Sequence, residues 1–201
     1  MSNFNYPNFT PILGNLTDKI RYEYISTKII DNKLDNNSFD NKKITSLIAS
    51  NNINDEIYFW QLYSILGENP INKLIHRFYT RIFNDNEATW FRDEFIESGS
   101  INYHVSGQKK FWLDIMGGGP LYKGGELKLN FKHKLVENIM NFDGAKRWMY
   151  HMTLALKDLK FHLIEDKRVK KFILKFLYFF IKKYSVEFDF NFFNLYHESK
   201  L

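Results

Sequence analysis

The chain has 201 residues, a length that suits one domain with tails. It contains no cysteine, which excludes disulfides, thiolate catalysis, zinc–cysteine sites and iron–sulfur clusters. Aromatic residues make up 18%, with 20 Phe and 12 Tyr, while Gly 10 and Pro 4 are too few for a loop-rich β-protein, so a helical fold with a core of flat rings is expected. The net charge is +5, and its source is local: residues 157–184 hold nine Lys/Arg against three Asp/Glu. Such a run is ordinarily a solvated helix face.

The start, MSNFNYPNFTPILG, has neither a basic n-region nor an apolar h-region. The apolar stretch Phe172–Ile181 is interrupted by Lys175 and is too short for a bilayer. A soluble, cytoplasmic protein is expected. Residues 1–55 read as an Asn-rich extension: Asp31 to Asp55 holds seven Asn with no sustained period. Asn favours turns over helices, so poor order is predicted there, with at most one short helix near Ile44–Ile48. No internal repeat is visible.

The domain is predicted to span 56–184. Ile57–Leu66 reads as a short apolar helix ended by Gly67. Asn69 and Pro70 are a favoured cap and first residue for the next helix. In it Ile71, Leu74, Ile75, Phe78 and Ile82 share one face, with Tyr79 at its edge. Asn84–Gly99 reads as a loop or short helical turn carrying Trp90, Phe91 and Phe95. A third helix, about 102–116, has an inward stripe of His104, Gln108, Phe111/Trp112 and Ile115. Two polar residues four apart on an apolar face need a reason, because a buried unpaired polar group costs about 1–3 kcal/mol.

Gly117-Gly118-Gly119-Pro120 stops that helix, and a loop through Tyr122 follows. Leu129, His133 and Val136 are spaced for a short helix with His133 inward. Asp143 is read as the cap of a helix whose inner stripe is Ala145, Trp148, Met152, Leu156 and Leu159. The last helix, 166–184, turns Val169, Ile173, Leu177, Phe180 and Tyr184 inward and its lysines outward. Residues 185–201 form an aromatic-rich tail. His76, His151, His162 and His197 fall off the inner stripes and are given no role.

Tyr79, His104, Gln108 and Trp148 thus converge from three helices, with one lone histidine, His133, between them. No Ser/His/Asp arrangement, carboxylate pair or phosphate loop accompanies them. One basic nitrogen facing hydrogen-bond donors in an aromatic core suits a flat apolar cofactor with a single open metal position.

The stretches Gln61–Gly67, Phe78-Tyr79, Gln108-x-x-Phe111-x-x-x-x-Met116, Gly118-Gly119-Pro120-Leu121-Tyr122, Lys132-His133 and Arg147-Trp148-Met149-x-His151-Met152 resemble the truncated haemoglobins, their second group most closely. The resemblance covers about 58–184. It implies an all-α, two-over-two helical sandwich holding haem b (protohaem) and its iron. By it His133 matches the proximal iron ligand and Tyr79 the distal tyrosine that hydrogen-bonds bound oxygen. Trp148 matches the distal tryptophan, and His104 and Gln108 fall on the two third-helix positions lining the ligand site. Lys132 stands where an arginine usually meets a haem propionate, Tyr122 joins the cofactor-binding residues, and Phe91 or Phe95 packs on the haem face.

The sequence departs from the family pattern at several points. The glycine run is one longer, at Gly117; without a gap there the two distal positions slide to Val105 and Lys109. A lysine over the iron face would be a buried unpaired charge, so that register is rejected. Asn130 replaces a further arginine, and Leu135-Val136 replace Pro-Phe after the proximal histidine. The function implied is binding of oxygen, nitric oxide or carbon monoxide. Tight oxygen binding suits sensing, scavenging or nitric-oxide detoxification, with dioxygenase-like or peroxidase-like chemistry and a reductase as possible extensions. The alternative is a haem-free globin-fold interaction module using the basic last helix. Nucleic-acid binding is disfavoured, since the inner faces are packed rather than displayed.

Overall fold

Helices account for the regular structure of the computed structural model, which describes residues 4–123, 137–161 and 164–191. In chain order they are α1 Thr17–Ile30, α2 Lys42–Thr45, α3 Leu62–Leu66, α4 Glu68–Phe83, α5 Thr89–Ser98, α6 Ile101–Ile115, α7 Phe142–Asp158 and α8 Arg168–Glu187. Short 3-10 turns lie at Asn36–Phe39, Phe59–Gln61 and Glu137–Ile139. Among the described residues there is no strand, only one isolated bridge between Ile12 and Gly118. No helix among them is long and apolar enough to cross a membrane. The chain divides into two compact units, one of residues 1–71 with 109–125 and one of 72–108 with 126–201.

The first unit corrects the reading of residues 1–55 as a poorly ordered extension. Residues 17–30 form α1, whose Ile20, Tyr24 and Ile25 are buried. The Tyr24 ring meets Trp60 and Tyr58 edge-on, at 5.8 and 6.5 Å. The asparagines that looked like disorder act as turn acceptors. Asn41 Oδ1 takes the Lys43 N–H at the start of α2, and Asn51 Oδ1 takes the Tyr6 N–H. Side chains from 60–64 then hold the segment down. The Trp60 indole donates to the Ile44 carbonyl at 2.8 Å, Gln61 donates to the Lys43 and Ser46 carbonyls, and Ser64 Oγ accepts the Ala49 N–H.

A single buried carboxylate organises the other side of this unit. Asp114, near the end of α6, accepts the backbone N–H groups of Asn15, Leu16 and Tyr122. Its carbonyl takes the Thr17 hydroxyl at 2.6 Å. The start of α1, the end of α6 and the Tyr122 loop therefore share one anchor. The extra glycine has a physical cause. Gly117 has φ +92°, and a Cβ there would lie 2.7 Å from the Trp60 carbonyl.

The predicted Ile57–Leu66 helix is shorter than expected. Tyr58 is extended, and the Gln61 side chain takes its N–H, so α-helix starts only at Leu62. The α4 helix begins at Glu68 rather than Pro70, with the proline in the first turn, where its missing N–H costs nothing.

In the second unit, Ile75, Phe78 and Ile82 of α4 are buried as the period predicts. The 84–99 segment is not a loop throughout: Thr89–Ser98 is a full helix, α5, with Phe91 and Phe95 one turn apart and buried. The α7 helix is capped by Asn141, whose side chain accepts the Gly144 N–H, not by Asp143, which lies in its first turn. A Cβ on Gly144 would sit 1.8 Å from the Ile139 carbonyl, which fixes glycine at this entry. At the far end of α7, Asp158 takes two hydrogen bonds from Arg81 and one from Arg77 of α4. The α8 helix buries Val169, Phe172, Ile173, Phe176 and Leu177, and its Lys171, Lys175, Lys182 and Lys183 are exposed.

Candidate functional site

Period and packing bring the expected distal residues into the second unit. Tyr79 lies on α4, His104 and Gln108 lie on α6, and Trp148 lies on α7. The Tyr79 side chain is 3% exposed. Its ring stacks on the His104 imidazole with centroids 5.2 Å apart and planes at 20°. Phe95 of α5 meets both edge-on, at 6.1 Å from Tyr79 and 5.6 Å from His104. Phe83 closes on His104 at 5.8 Å. Trp148 joins through Phe78, whose ring is 4.9 Å away and packs in turn on Tyr79 at 5.0 Å. Trp148 and Gln108 are half-buried.

The polar atoms of this cluster are arranged as donors. A carbonyl only accepts, so the 2.8 Å contact of His104 Nε2 with the Phe95 carbonyl fixes the proton on Nε2. Burial pushes the Tyr79 phenol well above its ordinary range, so the hydroxyl keeps its proton. Among the described residues Tyr79 has no hydrogen-bond partner, although the ring is buried.

Lys109 pairs with Glu68 at 2.9 Å. Tyr122 is buried in the first unit, with its ring 5.6 Å from Phe111 and its N–H on Asp114. Phe91 and Phe95 are in contact at 5.0 Å, and it is Phe95 that touches Tyr79 and His104. His133 and Lys132 lie outside the described residues, as do His162 and His197. Among the described residues no group of three or more His, Asp and Glu side chains could hold a metal ion.

A family model for bacterial-like globins matches residues 61–180. The chain belongs to the bacterial-like globin family. The all-α, truncated-globin expectation for its fold class is therefore met. This globin is 32% identical over 111 residues to two-on-two hemoglobin-3 of Arabidopsis thaliana, across 54% of its own length and 61% of the relative's. It thus spans about three fifths of that relative. No solved structure matches it. Membership implies haem with its iron as the bound group. The donor set fits that group: flat apolar rings are interleaved with hydrogen-bond donors, one of them the Tyr79 hydroxyl.

Apolar periodicity does not reveal a buried ionic cluster in this globin. His151, set aside as off the inner stripe, is 3% exposed and directs Nε2 to Asp85 Oδ2 at 2.7 Å. Arg147 grips the same carboxylate with two hydrogen bonds of 2.6 Å. Asp85 Oδ1 also takes the Glu87 and Ala88 N–H groups ahead of α5. Burial pushes the Asp85 carboxyl up, but the hydrogen bonds from Arg147, His151 and Ala88 outweigh it and hold the group far below the carboxylate range. Burial is the larger influence on His151 and lowers its pKa despite the Asp85 partner. A signal existed: Arg147 and His151 are four apart on one helix, so both reach the same neighbour.

Proposed function

We propose that this globin binds diatomic gases at a haem b iron held by His133, with Tyr79, His104, Gln108 and Trp148 on the ligand side. When bound, the haem supplies one open metal position for oxygen, nitric oxide or carbon monoxide. Lys132 would meet a propionate, and Phe91, Phe95, Tyr122 and Trp148 would help to hold the macrocycle.

The observation that carries this reading is the Tyr79 side chain: its ring is packed against Phe78, Phe95 and His104, and its protonated hydroxyl meets no hydrogen-bond partner among the described residues. It is a donor held ready for a group absent from the polypeptide. His104 Nε2–H is held by the Phe95 carbonyl, so the imidazole must break that bond before it can turn to a ligand. The Gln108 amide and the Trp148 indole add N–H donors. Aromatic rings around Tyr79 exclude water and strengthen each remaining bond.

Two or three such bonds at about 1 kcal/mol each slow ligand release by roughly 30- to 150-fold. Slow release suits sensing, scavenging or nitric-oxide detoxification better than bulk transport. Stopped-flow oxygen release from wild type and from Tyr79→Phe with Gln108→Leu tests it. The double variant is expected to release oxygen at least tenfold faster, and an unchanged rate removes this reading of the distal side.

A further inference from the structure

Asp85 is buried and receives five hydrogen bonds: two from Arg147, one from His151 and two from the backbone ahead of α5. Two of its donors, Arg147 and His151, sit on α7, the helix that also carries Trp148. The carboxylate therefore fixes where α5 starts relative to α7. The consequence runs along α5. The His151 ring stacks on Phe91 at 6.1 Å and 16°. Phe91 packs on Phe95 at 5.0 Å. The Phe95 ring touches Tyr79 and His104, and its carbonyl takes the His104 Nε2–H.

We infer that His151 and Asp85 are a positioning pair for the distal site: their hydrogen bond sets α5 so that Phe95 holds His104 on its carbonyl and beside Tyr79. Neither residue touches the ligand side directly; both act through Phe91 and Phe95. An ionised carboxylate is acceptor-only, so His151 donates from Nε2 and its tautomer is fixed. Its Nδ1 is buried and has no hydrogen-bond partner among the described residues, so the bond to Asp85 is what orients the ring. The same kind of support, a carboxylate fixing an imidazole that in turn holds a neighbour, is how sites are preorganised from behind. The link to ligand binding rests on the functional reading above; the link to His104 does not.

The test uses the full chain with His151→Leu, which removes the donor, and His151→Gln, whose amide nitrogen can replace Nε2. The first readout is the His104 Nε2–H signal in nitrogen-resolved NMR of the haem-free chain, and the second is oxygen release after haem loading. The Leu variant is expected to lose or shift the His104 signal and to change the release rate by threefold or more. The Gln variant should restore both to within twofold of wild type. A folded Leu variant with wild-type values in both readouts overturns the inference, and so do equal effects of Leu and Gln, which would assign them to packing. If His151→Leu does not fold, His151→Phe, which keeps a ring against Phe91 but has no donor for Asp85, takes its place, and the same outcomes apply. A chain that takes up no haem ends the functional reading while the NMR readout still decides the positioning.

Discussion

The Tyr79 ring lies on the His104 imidazole with centroids 5.2 Å apart, yet the two polar atoms have different fates. His104 Nε2–H is spent on the Phe95 carbonyl, whereas the Tyr79 hydroxyl meets no partner among the described residues. Tyr79 is thus the committed donor and His104 the one that must be released. Tyr79→Phe is expected to speed oxygen release roughly fivefold, the worth of one neutral hydrogen bond of about 1 kcal/mol. His104→Leu should change it less. Stopped-flow release from the two variants gives the ranking, and the reverse order would contradict it.

Asp114→Ala should destabilise the protein by about 3 kcal/mol, because the N–H groups of Asn15, Leu16 and Tyr122 lose a shared acceptor. Asp114→Asn, which keeps an acceptor oxygen, should cost less. Removal of residues 1–16 should act in the same direction. Urea unfolding followed by circular dichroism measures all three, and a truncation without effect would restore the picture of a detachable extension.

Gly117→Ala should cost about 1–3 kcal/mol, since a side chain at φ +92° is strained and its Cβ would press on the Trp60 carbonyl. Gly119→Ala, also at positive φ but 3.7 Å from its nearest neighbour, should cost less. Midpoints from thermal unfolding compare the two.

Stability should fall in two stages with acid. Burial holds the His151 pKa below its ordinary 6.5, so the unfolded chain takes up a proton there before the folded chain does. That contribution is complete above about pH 6.5 and is lost as the pH falls below it. His151→Gln should flatten this first stage. Hydrogen bonds from Arg81, then Arg77, hold Asp158 down at about 2 from an ordinary 3.8. Its contribution is present above 3.8 and is lost towards pH 2; that of Asp85 is lost over the same acid range, so Asp158→Asn should reduce that second stage rather than abolish it. Unfolding free energies across this range check both signs.

Much of the helical framework was legible because apolar periodicity reports one buried face. Ile71, Leu74, Ile75, Phe78 and Ile82 follow it, and all are buried. The same signal placed Tyr79 at the edge of that face, and Tyr79 is buried. It failed where polar atoms do the packing. The Asn-rich segment after α1 is held by side-chain acceptors and by Trp60, Gln61 and Ser64, which lie later in the chain. Hydrophobic spacing does not report His151, a buried imidazole whose carboxylate partner is 66 residues away. Helix α5 is longer than its sequence suggests, since Asn84, Asp85 and Asn86 signal a turn and hide the helix that Asp85 helps to start.

Visible absorption of the full chain made with ample haem decides whether His133 holds the iron. Wild type should be red, and after reduction its spectrum should shift with carbon monoxide; His133→Ala should lose haem or its iron coordination. A colourless wild type, or an alanine variant with an unaltered spectrum, would contradict the assignment.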